Sequence, residues 1–133
     1  MDATTLERLR AKLEARRDEL KVELAQLDQE LQWLAADQDD ERGGLGNHMS
    51  DDGSSLMEQE RVATVRADLE ALLKEVDEAL TRMDEGTYGI CQRCHRPIPE
   101  ERLDAIPHVQ FCVECQSHLE RHHALYGAAE QVS

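Results

Sequence analysis

Cys91-Gln92-Arg93-Cys94, matched seventeen residues later by Cys112-Val113-Glu114-Cys115, is the stretch around which this chain is organised. These are the only four cysteines it has. Two Cys-x-x-Cys knuckles at that separation are the spacing of a four-thiolate zinc site. Each knuckle puts two sulfurs on one tight turn. Two turns together supply the tetrahedral set that Zn²⁺ takes at about 2.3 Å. With all four positions filled by Cys91, Cys94, Cys112 and Cys115, such a site is structural, because it leaves no position for a substrate.

The remaining composition limits what can surround this site. At 133 residues there is room for one domain, or for one small domain joined to a long element. Trp33, Tyr88, Phe111 and Tyr126 are the only aromatic residues, too few for a large globular core. Leu, Ala, Glu and Arg are plentiful and favour long helices. The net charge of −14 opposes a nucleic-acid interface, which needs clustered Lys and Arg. The N-terminus reads as no signal segment, and no run approaches the ~20 apolar residues of a membrane span. The expected compartment is the cytoplasm, where cysteines serve as metal ligands more often than as disulfides. Two disulfides or a redox-active Cys-x-x-Cys are the competing readings. No strand-helix-strand pattern of the thioredoxin kind surrounds either pair.

Upstream of the knuckles the apolar period is helical. Leu6, Leu9, Leu13, Leu20, Leu24, Leu27, Leu31 and Leu34 recur at three- and four-residue steps, with a phase shift at Arg16-Arg17. Thr4 and Glu7 are placed as a capping box for this helix. A second seam runs Val62, Val65, Leu69, Leu72, Val76, Leu80 and Met83, and Gly86 supplies the left-handed residue that ends it. Ser55 with Glu58 is one candidate start for it, with Asp51, Asp52 and Ser54 as rivals. The two seams would bury each other in an antiparallel hairpin, with pairing to a second chain as the lesser alternative.

The expected fold is therefore mainly α. It has a long antiparallel coiled-coil hairpin over 1–85, a small four-cysteine zinc finger over 86–118, and a short C-terminal helix and tail over 119–133. Between the helices, the segment at about 38–55 reads as a glycine- and serine-broken acidic tip. Residues 37–60 hold eight acids against one base, Arg42. His118 and His122 have i,i+4 spacing but read as surface residues, since four thiolates already complete a zinc shell.

The residues around the cysteines carry a resemblance. Gly86-Thr87-Tyr88-Gly89-Ile90 before the first knuckle, then Ile98, Arg102-Leu103 and Pro107 before the second, look like the zinc finger of the DksA/TraR family. That resemblance implies a non-enzymatic bacterial transcription regulator that binds RNA polymerase through its secondary channel, without sequence-specific DNA contact. Many members act with the alarmone ppGpp. It also implies a working coiled-coil tip. Asp51 aligns with the second of two family aspartates, whereas His48 and Gly53 stand where the family has an aspartate and an alanine. Asp51, with neighbours Asp52 and His48, is the candidate tip group, and the tip is closer to DksA-like paralogues than to DksA itself. Two other readings remain: a stress- or dormancy-related interaction protein acting on another partner, and a thiol sensor that loosens when oxidised. No nucleophile-base pair, phosphate-binding glycine loop or open metal site points to an enzyme.

Overall fold

Four helices carry the chain: α1 (Ala3–Gly43), α2 (Met49–Glu85), α3 (Glu100–Ala105) and α4 (Val113–Val132). The computed structural model describes the backbone of residues 1–43 and 49–132, and the side chains of residues 1–36 and 55–125. Among the described residues there is no strand, only a single bridge between Ile90 and Pro97. No described helix is long and apolar enough to cross a membrane.

Two compact units divide the chain, residues 15–74 forming one and residues 1–14 with 75–133 the other. In the first, Leu20, Leu24 and Leu34 of α1 and Val62 of α2 are buried. Arg66 of α2 donates to Asp28 of α1, and its other side reaches Glu70 at 2.7 Å. In the second unit, Leu9 and Leu13 of α1 are buried, as are Val76, Ala79 and Leu80 of α2. There Arg10 pairs with Asp84 at 3.1 Å. Arg10 pairs with Asp84 and Asp28 with Arg66, so as α1 advances its partner position on α2 falls, and the two helices run antiparallel as a coiled-coil hairpin. Each buried leucine contributes about 1.5–3 kcal/mol, against at most ~1 kcal/mol for an exposed ion pair. The leucine seam holds the pair together; the charges set its register.

The structure differs from the periodicity reading in four places. Asp2, not Thr4, caps α1, because its carboxylate accepts from Thr5 N–H at 2.7 Å. That bond holds the Asp2 carboxyl below the usual range. Val65 is 43 % exposed, and Ala79, with no exposure at all, takes a place in the seam that periodicity in larger residues could not show. Ser55 lies inside α2, which begins at Met49. One glycine such as Gly53 costs a helix only ~1 kcal/mol, less than the neighbouring helix formers return. Finally, α4 continues to Val132 rather than fraying from Gly127, as Ala128-Ala129-Glu130-Gln131 are good helix formers.

Candidate metal centre

The finger begins where α2 stops. Gly86 takes φ +78, Thr87 N–H donates to Arg82 C=O at 2.9 Å, and Gly86 N–H donates to Met83 C=O at 3.3 Å. These are the two bonds of a Schellman cap, and the left-handed residue at its centre is the reason for glycine. Gly89 is glycine for two reasons. Its φ is +86, and a Cβ there would sit 2.9 Å from Met1 Cε and 3.6 Å from Leu103 Cδ1. Leu103 itself is fully buried.

The first knuckle then closes on itself. Cys91 N–H donates to Arg96 C=O and His95 N–H to Cys91 C=O, both at 2.9 Å, while Ile98 N–H donates to Gly89 C=O at 2.7 Å. His95 turns the chain back with φ +61, the one described non-glycine residue in the left-handed region. Histidine gives no strong turn signal in a sequence, so this position was not legible beforehand. The second knuckle opens α4. Cys112 precedes its first residue, and Cys115 N–H donates to Cys112 Sγ at 3.5 Å, so a sulfur caps the positive end of the helix.

Single side chains brace the turns between the knuckles. Tyr88 Oη donates to Pro107 C=O at 2.9 Å, Arg102 Nε to Phe111 C=O at 3.0 Å, and Gln110 Nε2 to Glu78 at 3.1 Å. Arg82 Nη2 reaches Val109 C=O at 3.5 Å, and burial holds its guanidinium below the usual arginine range. Tyr88 and Arg102 of the sequence pattern thus hold backbone carbonyls in the loop between the two cysteine pairs, that of Pro107 among them, and Leu103 fills its core. Arg82 does the same work, and Gln110 ties the loop to the Glu78 carboxylate of α2, but both fall outside that pattern.

The knuckles bring all four sulfurs within 4.8 Å of one another. Sulfurs at the corners of a zinc tetrahedron lie about 3.8 Å apart, from the 2.3 Å bond length, and Cys94 Sγ and Cys112 Sγ are separated by 3.9 Å. Cys91 and Cys115 are buried; Cys94 and Cys112 are half-buried. Burial pushes the Cys91 thiol up, but N–H groups of Cys94, Cys112 and Arg93 outweigh it and bring it down to about 6. Arg93 donates to Cys115 Sγ at 3.5 Å and pulls that thiol down, yet burial and the three neighbouring sulfurs push it up to about 11. One thiol ionises readily and another resists: four thiolates this close need a divalent cation among them. The geometry and the donor set fit zinc. The four cysteines form a closed four-thiolate zinc site that joins Ile90–Pro97 to the start of α4.

The model of the prokaryotic dksA/traR C4-type zinc finger matches residues 86–121. Residues 86–121 are thus similar to a DksA/TraR zinc finger. General stress protein 16O of Bacillus subtilis is 40% identical over 77 residues, which cover 58% of this chain and 47% of that one. The RNA polymerase-binding transcription factor DksA of Caulobacter vibrioides is 34% identical over 77 residues, 56% of this chain and 54% of that protein. The chain thus spans about half the length of these curated relatives. The solved structure of transcription factor DksA2 from Pseudomonas aeruginosa superposes with a TM-score of 0.76 at 26% identity, covering 93% of this chain and 89% of that one. The helical hairpin as well as the finger is therefore shared with a DksA/TraR protein of known structure. Among the described residues the four cysteines are the one cluster able to hold a metal. His118 and His122 sit 6.4 Å apart, ring to ring, on α4. Asp51 and Asp52 fall in the opening turns of α2. Their side chains, and His48 altogether, lie outside the described residues.

Proposed function

We propose that the chain is a cytoplasmic transcription regulator that binds RNA polymerase and catalyses no reaction itself. The observation that carries this is the likeness of both hairpin and finger to DksA2, a transcription factor, over 93% of the chain. The RNA polymerase-binding function named for the Caulobacter relative supports the choice of partner. In this reading the hairpin enters the secondary channel, and the acidic segment around Asp51, Asp52 and His48 approaches the catalytic centre. Mg²⁺ takes oxygen ligands, so a carboxylate there acts on the metal or on the moving elements beside it. ppGpp is the small-molecule partner consistent with the same reading. The acidity that excludes DNA suits a protein-directed mode.

Binding to purified RNA polymerase, measured with an initiation assay alongside, tests it. Asp51→Asn is expected to retain binding while weakening the effect on initiation. Absence of binding at micromolar concentration removes the proposal. A second reading, a stress-related interaction protein with another partner, is favoured by the 40% identity to General stress protein 16O. It would be recognised by capture of one defined partner that polymerase does not displace.

A further inference from the structure

The outward face of α1 changes character between Val22 and Ala36. Over these residues Leu24 and Leu34 are buried and Leu27 and Leu31 half-buried, which fixes the inner face. At 3.6 residues per turn the opposite face is Val22, Gln26, Gln29, Gln32, Trp33 and Ala36. All six are exposed, Val22 by 58% and Trp33 by 67%. None carries a charge, in a chain with 33% charged residues whose outer helix faces are where charge belongs. Nearer the N-terminus the same face again carries charge, with Asp18, Glu14 and Glu7. The neutral strip is therefore local, and the only tryptophan of the chain stands on it.

One edge of the strip is acidic. Glu19, Glu23 and Glu30 recur at spacings of four and seven, which keeps them on one line, and the cation beside them on the same helix, Arg16, lies 3.0 Å from Glu19 and 3.6 Å from Glu23. Residues 15–74 together hold fifteen acidic and seven basic side chains. A second copy would set two such acidic surfaces against each other, so the charge selects a basic partner. Tryptophan is the residue type most often found as an energetic anchor at protein interfaces.

We infer that Val22–Ala36 of α1 is a docking face whose anchor is Trp33, and that it seats in an apolar slot edged by Lys and Arg on RNA polymerase. The inference rests on the polymerase reading above and names the surface that would serve it. Trp33 is mostly in water, so Trp33→Ala leaves helicity and the melting point as they are. Affinity for purified core RNA polymerase is measured for wild type, Trp33→Ala and Leu125→Ala; the last is a comparator 77% exposed on α4. The expected result is roughly a tenfold or greater loss for Trp33→Ala, with Leu125→Ala unchanged. With 5-fluorotryptophan at the single tryptophan, the fluorine resonance should move or broaden when polymerase is added. Equal affinity of wild type and Trp33→Ala overturns the docking face and leaves polymerase binding standing. Equal losses in both variants overturn it too. Wild type that fails to bind removes the polymerase reading itself. A wild-type dimer in sedimentation that Trp33→Ala dissolves makes the occupant a second copy, and that also overturns the inference.

Discussion

Tyr88 shows how much one side chain in the finger decides. Its ring is buried, and its hydroxyl satisfies the Pro107 carbonyl on the loop between the knuckles. Burial pushes the phenol up to about 12, with Arg82 opposing and Asp104 adding to the rise. A phenol whose pKa is raised on folding contributes stability that is intact below the unfolded value of about 10. That stability is lost as pH climbs from there through the folded value. Tyr88→Phe should cost about 1–3 kcal/mol at pH 7, because a half-buried carbonyl is left without its donor. It should also flatten the alkaline decline between pH about 10 and 12. Urea unfolding of both proteins at neutral and alkaline pH checks this, and identical alkaline slopes would mean that the phenol is not held as described. His95 illustrates the opposite case at the same scale. Its left-handed φ has no residue-type signal strong enough to be read in advance, whereas Gly86 announced its own.

At the scale of elements, what was legible depended on whether residue types alone fix the answer. The leucine seam and the Gly86 stop follow from periodicity and from glycine, and both are present. The start of α2 and the end of α4 were not legible, since Ser, Asp and Gly end a helix only when tertiary packing returns less than they cost. The tie between α1 and α3 was invisible in the sequence because its partners lie ninety-six residues apart. Arg8 bonds to Asp104, Lys12 reaches the same carboxylate at 3.7 Å, and Arg8 also approaches Glu100 at 3.8 Å. The Arg8 guanidinium holds the Asp104 carboxyl below the ordinary range. A carboxyl lowered in this way contributes stability above its unfolded pKa of about 3.9 and loses it as pH falls through the folded value. Asp104→Asn should therefore lower the melting point slightly at pH 7 and not at all near pH 2. Melts at a series of pH values decide this. A deficit that persists undiminished into acid would assign the effect to packing instead of charge.

At the scale of the whole molecule, the coiled coil and the finger are stabilised by different means. Residues 15–74 rely on the buried leucine and valine seam of α1 and α2, supported by the Asp28–Arg66–Glu70 cluster. Residues 86–112 contain one short helix, one bridge and a few side-chain braces, and their buried apolar residues are little more than Tyr88, Ile98, Leu103 and Val109. That is too small a core for independent stability. Zinc contributes about 10–16 kcal/mol in small finger peptides, as much as the total stability of an ordinary domain. Removing the metal with a chelator, or one ligand by Cys94→Ser, should unfold residues 86–112 and leave the helices of 15–74 protected. Hydrogen exchange read by mass spectrometry, with metal content measured on the same sample, separates the finger from the helices of 15–74 directly. Peptides from Thr87 to Phe111 should exchange completely within the shortest labelling time once zinc is gone, and those from Leu20 to Leu34 should exchange as before. Full protection of the finger in a metal-free sample would show that its backbone braces suffice without zinc. Loss of protection throughout would show that the helices, too, depend on it.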